Sequence, residues 1–148
     1  MKILIYSISD LIDKKPFHLF VVVLILLNLS GIGDPNYLTI LSLVGSVAAS
    51  LLSLALKLLF RKGRPQHNKY RIIKYGFPSG HSHVIFTTAA IYAHYVPSLA
   101  APFFLAASFV SASRVLIRAH TENDVVAGSV LGVFTGLLMV ALANKFLW

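Results

Sequence analysis

The 148-residue chain contains no cysteine and only five acidic residues. Without cysteine there is no disulfide framework, no thiolate metal site and no thiol nucleophile. Five acidic residues do not supply the carboxylate cluster that would hold Mg²⁺. Charged residues make up 12% of the chain and hydrophobic residues 57%, whereas soluble domains are about 25% charged. This composition predicts an integral protein of the cell membrane.

The charge that is present is mostly positive, with a formal net charge of +8. The basic residues lie between apolar segments rather than along one soluble face, so a nucleic-acid partner is not expected. An anionic lipid headgroup, or a phosphate at the surface of the phospholipid bilayer, fits this distribution better.

Hydropathy divides the chain into five apolar segments that are candidates to span the bilayer. A preceding segment, 1–15, mixes apolar and charged residues and suits a short helix at the membrane interface. The predicted fold is therefore an all-α membrane bundle of about five transmembrane helices plus this N-terminal interfacial helix, in a single domain over 1–148. The predicted spans are 17–31, 37–60, 80–95, 98–118 and 122–146.

Small residues recur at every fourth position in two of these spans. They are Gly45, Ala49 and Ser53 in the second span and Gly128, Gly132 and Gly136 in the fifth. Small residues at this spacing let membrane helices approach closely. We expect the glycines to pack inside the bundle rather than to form a dimer face, and the oligomeric state stays open.

The distribution of lysine and arginine predicts the orientation. With five spans, 12 of the 13 basic residues fall on one side, and Lys145 alone falls on the other. Setting aside Lys57, Arg64 and Arg114, which have a chemical explanation, nine of the remaining ten still share that side. Because positive loops stay in the cytoplasm, this side, which also carries the candidate site, is predicted to be cytoplasmic.

Three short segments of the chain carry the candidate chemistry. They are Lys57 with Arg64-Pro65, then Pro78-Ser79-Gly80-His81, then Ser113-Arg114 with His120 and Asp124. Charge in or beside a membrane is costly and usually marks function. The set contains cations for a phosphate, a nucleophile, an acid and an orienting carboxylate, which are the groups that phosphoryl transfer through histidine requires.

The position of each candidate residue in the sequence suggests its physical role. Ser79 is a plausible N-cap, so the following N–H groups, beside Gly80, form an anion site at a helix start. His120 and Asp124 are four residues apart and could share a helix face. A carboxylate on one imidazole nitrogen fixes the tautomer and leaves the other nitrogen to attack, while His81 could protonate the leaving oxygen.

These motifs resemble the type 2 phosphatidic acid phosphatase superfamily, whose pattern is K-x6-R-P, then P-S-G-H, then S-R-x5-H-x3-D. The chain reads Lys57-x6-Arg64-Pro65, Pro78-Ser79-Gly80-His81 and Ser113-Arg114-x5-His120-x3-Asp124, with no departure. The match covers residues 57–124, nearly half the chain. Many membrane members have six spans, one more than the five expected here.

The resemblance implies a role for each matching residue. His120 would be the nucleophile that forms a phosphohistidine, Asp124 would hold it, and His81 would be the general acid. The phosphate would be bound by Lys57, Arg64, Ser79, Gly80 and Arg114. The resemblance also implies a helical core and catalysis without a metal, so we expect no cofactor.

The expected substrate is a lipid phosphate, such as phosphatidic acid or phosphatidylglycerol phosphate, or an isoprenoid phosphate or diphosphate. An anion-binding or transport protein using the same cations is the alternative, although it has no use for two histidines and a carboxylate. Vanadate-dependent haloperoxidase chemistry shares the pocket but belongs to large soluble proteins. We interpret Arg61 and Lys62 as a basic membrane flank, Arg118 as interfacial and His83 as incidental.

Overall fold

The computed structural model describes residues 35–65 and 74–146. Within them the chain forms four α-helices, and the predicted all-α class is confirmed. The predicted interfacial helix at 1–15 and the span at 17–31 lie outside the described residues. The helices are α1 (Pro35–Phe60), α2 (Gly80–Tyr95), α3 (Ala100–Leu116) and α4 (Glu122–Phe146), with a 3-10 turn at Pro97–Leu99 before α3.

Three helical segments of the described chain are long and apolar enough to cross a membrane: Tyr37–Phe60, Pro97–Leu116 and Glu122–Phe146. Their outer faces expose large apolar side chains such as Leu51, Leu105 and Phe134, which lipid would cover. Helix α2 has 16 residues, fewer than the roughly 20 needed to span. It lies at the centre of the bundle and packs against α1, α3 and α4.

The glycine stripe of α4 packs against α2, which confirms the prediction that it lies inside the bundle. A Cβ on Gly128 would collide with the carbonyl oxygen of Ser79. A Cβ on Gly132 would lie 2.5 Å from the carbonyl oxygen of His83, and one on Gly136 would lie 2.7 Å from that of Thr87. Glycine is required here because the two helix backbones touch.

The small residues of α1 also face α2. A Cβ on Gly45 would lie 3.0 Å from Ile91, and Ala49 is fully buried. The Ser53 hydroxyl lies 2.7 Å from Nδ1 of His83, whose Nε2 lies 2.9 Å from the Thr135 hydroxyl. The interpretation of His83 as incidental was wrong, because this buried imidazole joins α1, α2 and α4 through two side-chain hydrogen bonds.

Helix boundaries differ from the predicted ones at α1 and α3. Helix α1 begins at Pro35 rather than at residue 37, because the fixed φ of proline suits the first helical position. Helix α3 ends at Leu116, two residues before the predicted end. Arg118 has a φ of 57°, and the Ala119 N–H donates to the Arg114 carbonyl at 3.0 Å. This is the Schellman arrangement that terminates helices.

Candidate active site

The predicted site residues come from four helix ends that meet at one face of the bundle. Lys57 lies in the last turn of α1, and Arg114 lies in the last turn of α3. The starts of α2 and α4 carry His81 and Asp124, respectively. Alternating helix directions bring these ends together, as expected for an up-and-down bundle.

The start of α4 is organised by a reciprocal cap between Thr121 and Asp124. The Thr121 N–H donates to Oδ2 of Asp124 at 2.9 Å, and the Asp124 N–H donates to the Thr121 hydroxyl at 3.3 Å. This is the geometry of a capping box. His120 therefore precedes the helix, and the prediction that it shares a helix face with Asp124 was wrong. The two side chains are nevertheless close, with Nδ1 of His120 3.8 Å from Oδ2 of Asp124.

The turn after α3 places His120 beside the Thr121–Asp124 cap of α4. The His120 N–H donates to the Arg114 carbonyl at 3.2 Å, next to the bond from Ala119. The Arg114 side chain is fully buried. The backbone of Arg114 thus fixes the position of His120, the nucleophile candidate.

Ser79 caps α2, as predicted, and connects it to α4. The Ser79 hydroxyl accepts from the Ser82 N–H at 3.4 Å and from the Ser82 hydroxyl at 3.0 Å. The Ser79 N–H donates to the Asp124 carbonyl at 2.8 Å. A Cβ on Gly80 would lie 3.3 Å from Nζ of Lys57. Lys57 of α1 and Gly80 of α2, both predicted to bind the phosphate, are therefore adjacent.

Arg64 contacts His120 directly. Nη1 of Arg64 lies 3.1 Å from Nε2 of His120 and 3.4 Å from the Ala119 carbonyl. A guanidinium can only donate, so Nε2 accepts and the ring proton resides on Nδ1, on the side of Asp124. In this tautomer the lone pair that could attack is on Nε2, where Arg64 now lies.

The surroundings of His120 keep its imidazole neutral. Burial, and then the positive charges of Arg64, Lys57 and His81, lower the pKa of His120 from 6.5 to about 3, although the Asp124 carboxylate opposes this change. A neutral imidazole is the nucleophilic form. Its neutrality therefore does not depend on pH in the physiological range.

A cleft of about 500 Å³ opens beside His120. Its wall includes Pro65, Val115, Arg118, His120, Thr121, Glu122 and Asn123. His120 is the one predicted site residue in this wall, and its side chain is 2% exposed. Arg118, which we expected at the interface, lines this cleft. No group of three His, Asp or Glu side chains with metal-binding geometry occurs among the residues that the structure describes.

Lys62 is the functional candidate that the sequence did not reveal. Its Nζ donates to Oδ1 of Asp124 at 2.7 Å and to the Thr121 hydroxyl at 3.1 Å. The interpretation of Lys62 as a plain membrane flank was therefore wrong. The sequence contained one signal for this pairing. Acidic residues are scarce in the chain, a buried carboxylate needs a cation, and the loop after α1 carries several lysine and arginine residues.

The family of the chain follows from comparison with known proteins. Residues 38–148 match the family model described as the PAP2 superfamily. The chain belongs to the PAP2 superfamily.

Two curated relatives and one solved structure are among the proteins that the chain matches. Proteins named lipid A 1-phosphatase from Rhizobium johnstonii and Rhizobium etli are each 30% identical to the chain over 103 residues, or 62% of it. The chain spans only 42% and 44% of their lengths, less than half of each.

The solved structure is described as the first transmembrane PAP2 type phosphatidylglycerolphosphate phosphatase, from Bacillus subtilis. It superposes with a TM-score of 0.72 at 18% identity, covering 99% of this chain and 79% of that one. This likeness establishes the fold, and with the apolar helices it identifies the chain as a membrane protein.

Proposed function

We propose that this protein hydrolyses a lipid phosphate, or an isoprenoid phosphate or diphosphate, through a phosphohistidine on His120. The observation that carries the proposal is the position of His120, between the Arg64 guanidinium and the Asp124 carboxylate and beside an open cleft. A neutral imidazole whose Nδ1 faces a carboxylate can attack a phosphorus atom through Nε2 once the cation on that nitrogen binds the phosphate instead.

The reaction has two steps in this proposal. In the first, Nε2 of His120 attacks phosphorus, the bond to the leaving oxygen breaks, and His81 donates a proton to that oxygen. The proton on Nδ1 stays on the ring, and the carboxylate of Asp124 stabilises the resulting positive charge. In the second, His81 takes a proton from water as the water attacks phosphorus, and His120 leaves as a neutral imidazole.

The phosphate oxygens would be bound by Lys57, Arg64, Arg114 and the start of α2. Arg64 would exchange its contact with Nε2 for a phosphate oxygen, which frees the attacking lone pair. The Ser79 hydroxyl accepts two hydrogen bonds, so its own proton remains to donate to the phosphate. Gly80 lacks the side chain that would separate the N-terminal N–H groups from the ligand.

The class of substrate rests on the setting of the site and on the relatives. The site lies at the ends of helices that cross the bilayer, so a headgroup could reach it while its chains stay in lipid. The named relatives include a lipid A 1-phosphatase and a phosphatidylglycerolphosphate phosphatase, which favours a lipid phosphate monoester among the candidates.

The site is proposed to face the cytoplasm. The loop after α1 and the turn before α4 carry most of the described lysine and arginine residues, whereas Lys145 lies at the other end of α4. A reporter enzyme that is active only outside the cytoplasm, fused after Phe146, tests this orientation. We expect it to be active, because the end of α4 lies opposite the site. An inactive reporter would contradict the orientation and leave the proposed chemistry intact.

Phosphate release by the purified protein in detergent tests the chemistry. The assay contains EDTA and offers phosphatidic acid, phosphatidylglycerol phosphate, farnesyl diphosphate and lipid A in separate reactions. We expect release that persists with EDTA, that is absent in His120→Gln, and that is retained in His94→Gln, a matched change at the exposed end of α2.

The same assay distinguishes the mechanism from its alternatives. Rapid quenching with radiolabelled substrate should trap a phosphoprotein that is stable in base and labile in acid, and His81→Gln should slow its formation. Full activity in His120→Gln would contradict the assignment of the nucleophile. No release from any lipid, together with anion flux into vesicles, would favour the transport alternative.

A further inference from the structure

The ion pair between Lys62 and Asp124 joins a loop to the buried floor of the site. The Asp124 side chain is fully buried, whereas the Lys62 side chain is 42% exposed. Their atoms Nζ and Oδ1 are 2.7 Å apart, at the short end of the ordinary range for a charged hydrogen bond. Lys62 therefore enters from the aqueous surface and reaches the carboxylate with its charged end.

The backbone around Lys62 is itself held in place. The Lys62 carbonyl accepts a hydrogen bond of 2.7 Å from the Gly76 N–H. The neighbouring residue Gly63 forms an antiparallel bridge with Tyr75, and the ammonium lies 5.7 Å from the centre of the Phe77 ring. The chain leaving α1 is thus tied to the chain entering α2, and this pairing directs Lys62 toward α4.

Both oxygens of the Asp124 carboxylate are engaged as a result. Oδ1 accepts from Lys62, and Oδ2 accepts from the Thr121 N–H. Because both oxygens accept hydrogen bonds, the carboxylate is held against rotation about its Cβ–Cγ bond. Oδ2 lies 3.8 Å from Nδ1 of His120. We propose that Lys62 is a positioning residue that fixes the Asp124 carboxylate, and through it the orientation and charge of His120.

This inference rests on the proposed function for its effect on turnover, but its structural part stands without it. Lys62 would act on His120 in two ways. It removes the freedom of Asp124 to close on Nδ1, and its positive charge offsets the pull of the carboxylate on the ring. The charged groups that act directly on His120 are Arg64, Lys57, His81 and Asp124, and a change at Lys62 leaves all four present.

Three variants separate this role from general effects of charge in the loop. Lys62→Met removes the ammonium and keeps the aliphatic stem. Lys62→Arg keeps a cation that can donate to the carboxylate. Arg61→Asn is the matched control, because Arg61 is exposed, its side chain contacts the Leu58 carbonyl at 3.2 Å, and asparagine tolerates its φ of 48°.

Two measurements are needed on each variant. In the first, ¹⁵N NMR of labelled histidine, assigned with His120→Gln, follows the pKa of His120 in the detergent-solubilised protein. Lys62→Met should raise the pKa of His120 by about one unit or more, because a cation is lost and the carboxylate is released. Lys62→Arg should restore the wild-type value, and Arg61→Asn should not change it.

The second measurement is the steady-state rate on whichever lipid the wild type hydrolyses. Lys62→Met should lower kcat, because a carboxylate that is free to rotate no longer holds the His120 ring in one orientation, and it should leave KM unchanged. We expect a loss of about 10- to 100-fold, the size seen when residues that orient the ligands of a metal site are changed. Lys62→Arg should recover most of the rate. An increase in KM with an unchanged kcat would overturn the proposal, because it would mean that Lys62 binds the phosphate.

The two proposals fail in distinguishable ways. If the wild type releases no phosphate, the proposed function fails, and the NMR measurement still decides whether Lys62 fixes the environment of His120. If the wild type is active and Lys62→Met matches it in both kcat and the pKa of His120, the role of Lys62 is refuted.

Discussion

Nη1 of Arg64 lies 3.1 Å from Nε2 of His120, so the guanidinium covers the nitrogen that attacks phosphorus in the proposed mechanism. The guanidinium identifies Nε2 as the unprotonated nitrogen. This contact would also keep that nitrogen from attacking phosphorus until an anion draws the arginine away. In the proposed mechanism, binding of the phosphate and exposure of the lone pair are therefore the same event.

The tautomer and the charge of His120 can be measured directly. We expect ¹⁵N NMR to find His120 neutral at pH 5, with its proton on Nδ1, because burial and the nearby charges of Arg64, Lys57 and His81 lower the pKa to about 3 against the opposing effect of Asp124. Arg64→Gln should raise this pKa. A His120 that titrates near pH 6.5 would contradict the geometry described for the site.

The same pKa predicts how His120 contributes to stability. The pKa is about 3 in the folded protein and 6.5 without the fold, so between these values the unfolded chain binds a proton that the folded chain does not. The contribution to stability is present above pH 6.5 and decreases as the pH falls toward 3. Thermal unfolding at pH 7 and pH 4.5 should therefore differ less in His120→Gln than in the wild type.

Vanadate should inhibit competitively, since it mimics the five-coordinate phosphorus of the transfer step. Arg64→Gln should weaken this inhibition about tenfold or more, the loss expected for a hydrogen bond to a charged group. The control Arg61→Asn, in the same loop but away from His120, should keep the wild-type inhibition constant. Equal inhibition in the two variants would remove Arg64 from the phosphate site.

The contact between α2 and α4 predicts a large difference between two glycines. Gly128→Ala should lower the free energy of unfolding by about 1–3 kcal/mol, because its methyl group would meet the Ser79 carbonyl, which belongs to backbone and cannot move aside. In Gly63→Ala the new methyl group meets nothing within 4 Å among the described residues. Its melting temperature in detergent should match the wild type. Equal melting temperatures for both variants would contradict the close packing.

The buried imidazole of His83 should be energetically coupled to Thr135. A double-mutant cycle of His83→Ala and Thr135→Ala, followed by thermal unfolding in detergent, measures the bond at 2.9 Å. We expect a coupling of about 0.6 kcal/mol, the average for polar pairs between membrane helices. Strict additivity of the two substitutions would mean that the bond contributes nothing.

The sequence predicted α2 and α4 to the residue, because each begins with a local cap. Ser79 and Thr121 both precede an apolar run, and both accept hydrogen bonds from the following helix. The end of α3 was missed for an equally local reason. Arg118 adopts the left-handed conformation there, whereas glycine is the residue that normally signals this conformation in a sequence.

The motif spacing selected residues that the structure brings together at the candidate site, but not all of their partners. His120 and Asp124 could be selected from the pattern, while the pairing of Asp124 with Lys62 depends on a contact between residues 62 positions apart. A lysine beside an apolar span is what any membrane flank contains, so nothing local distinguishes Lys62 from Arg61. His83 escaped detection for a related reason, since its partners lie on two other helices.

Asp124 shows why this site depends on the completed fold. Its carbonyl accepts the N–H of Ser79, its carboxylate caps its own helix, and the same carboxylate binds Lys62. One residue thus connects the beginnings of two helices with a loop that follows a third. A chain in which any of these pieces is misplaced has the residues of the site without its geometry. In the proposed mechanism, such a chain would have no activity in the membrane until the bundle is assembled.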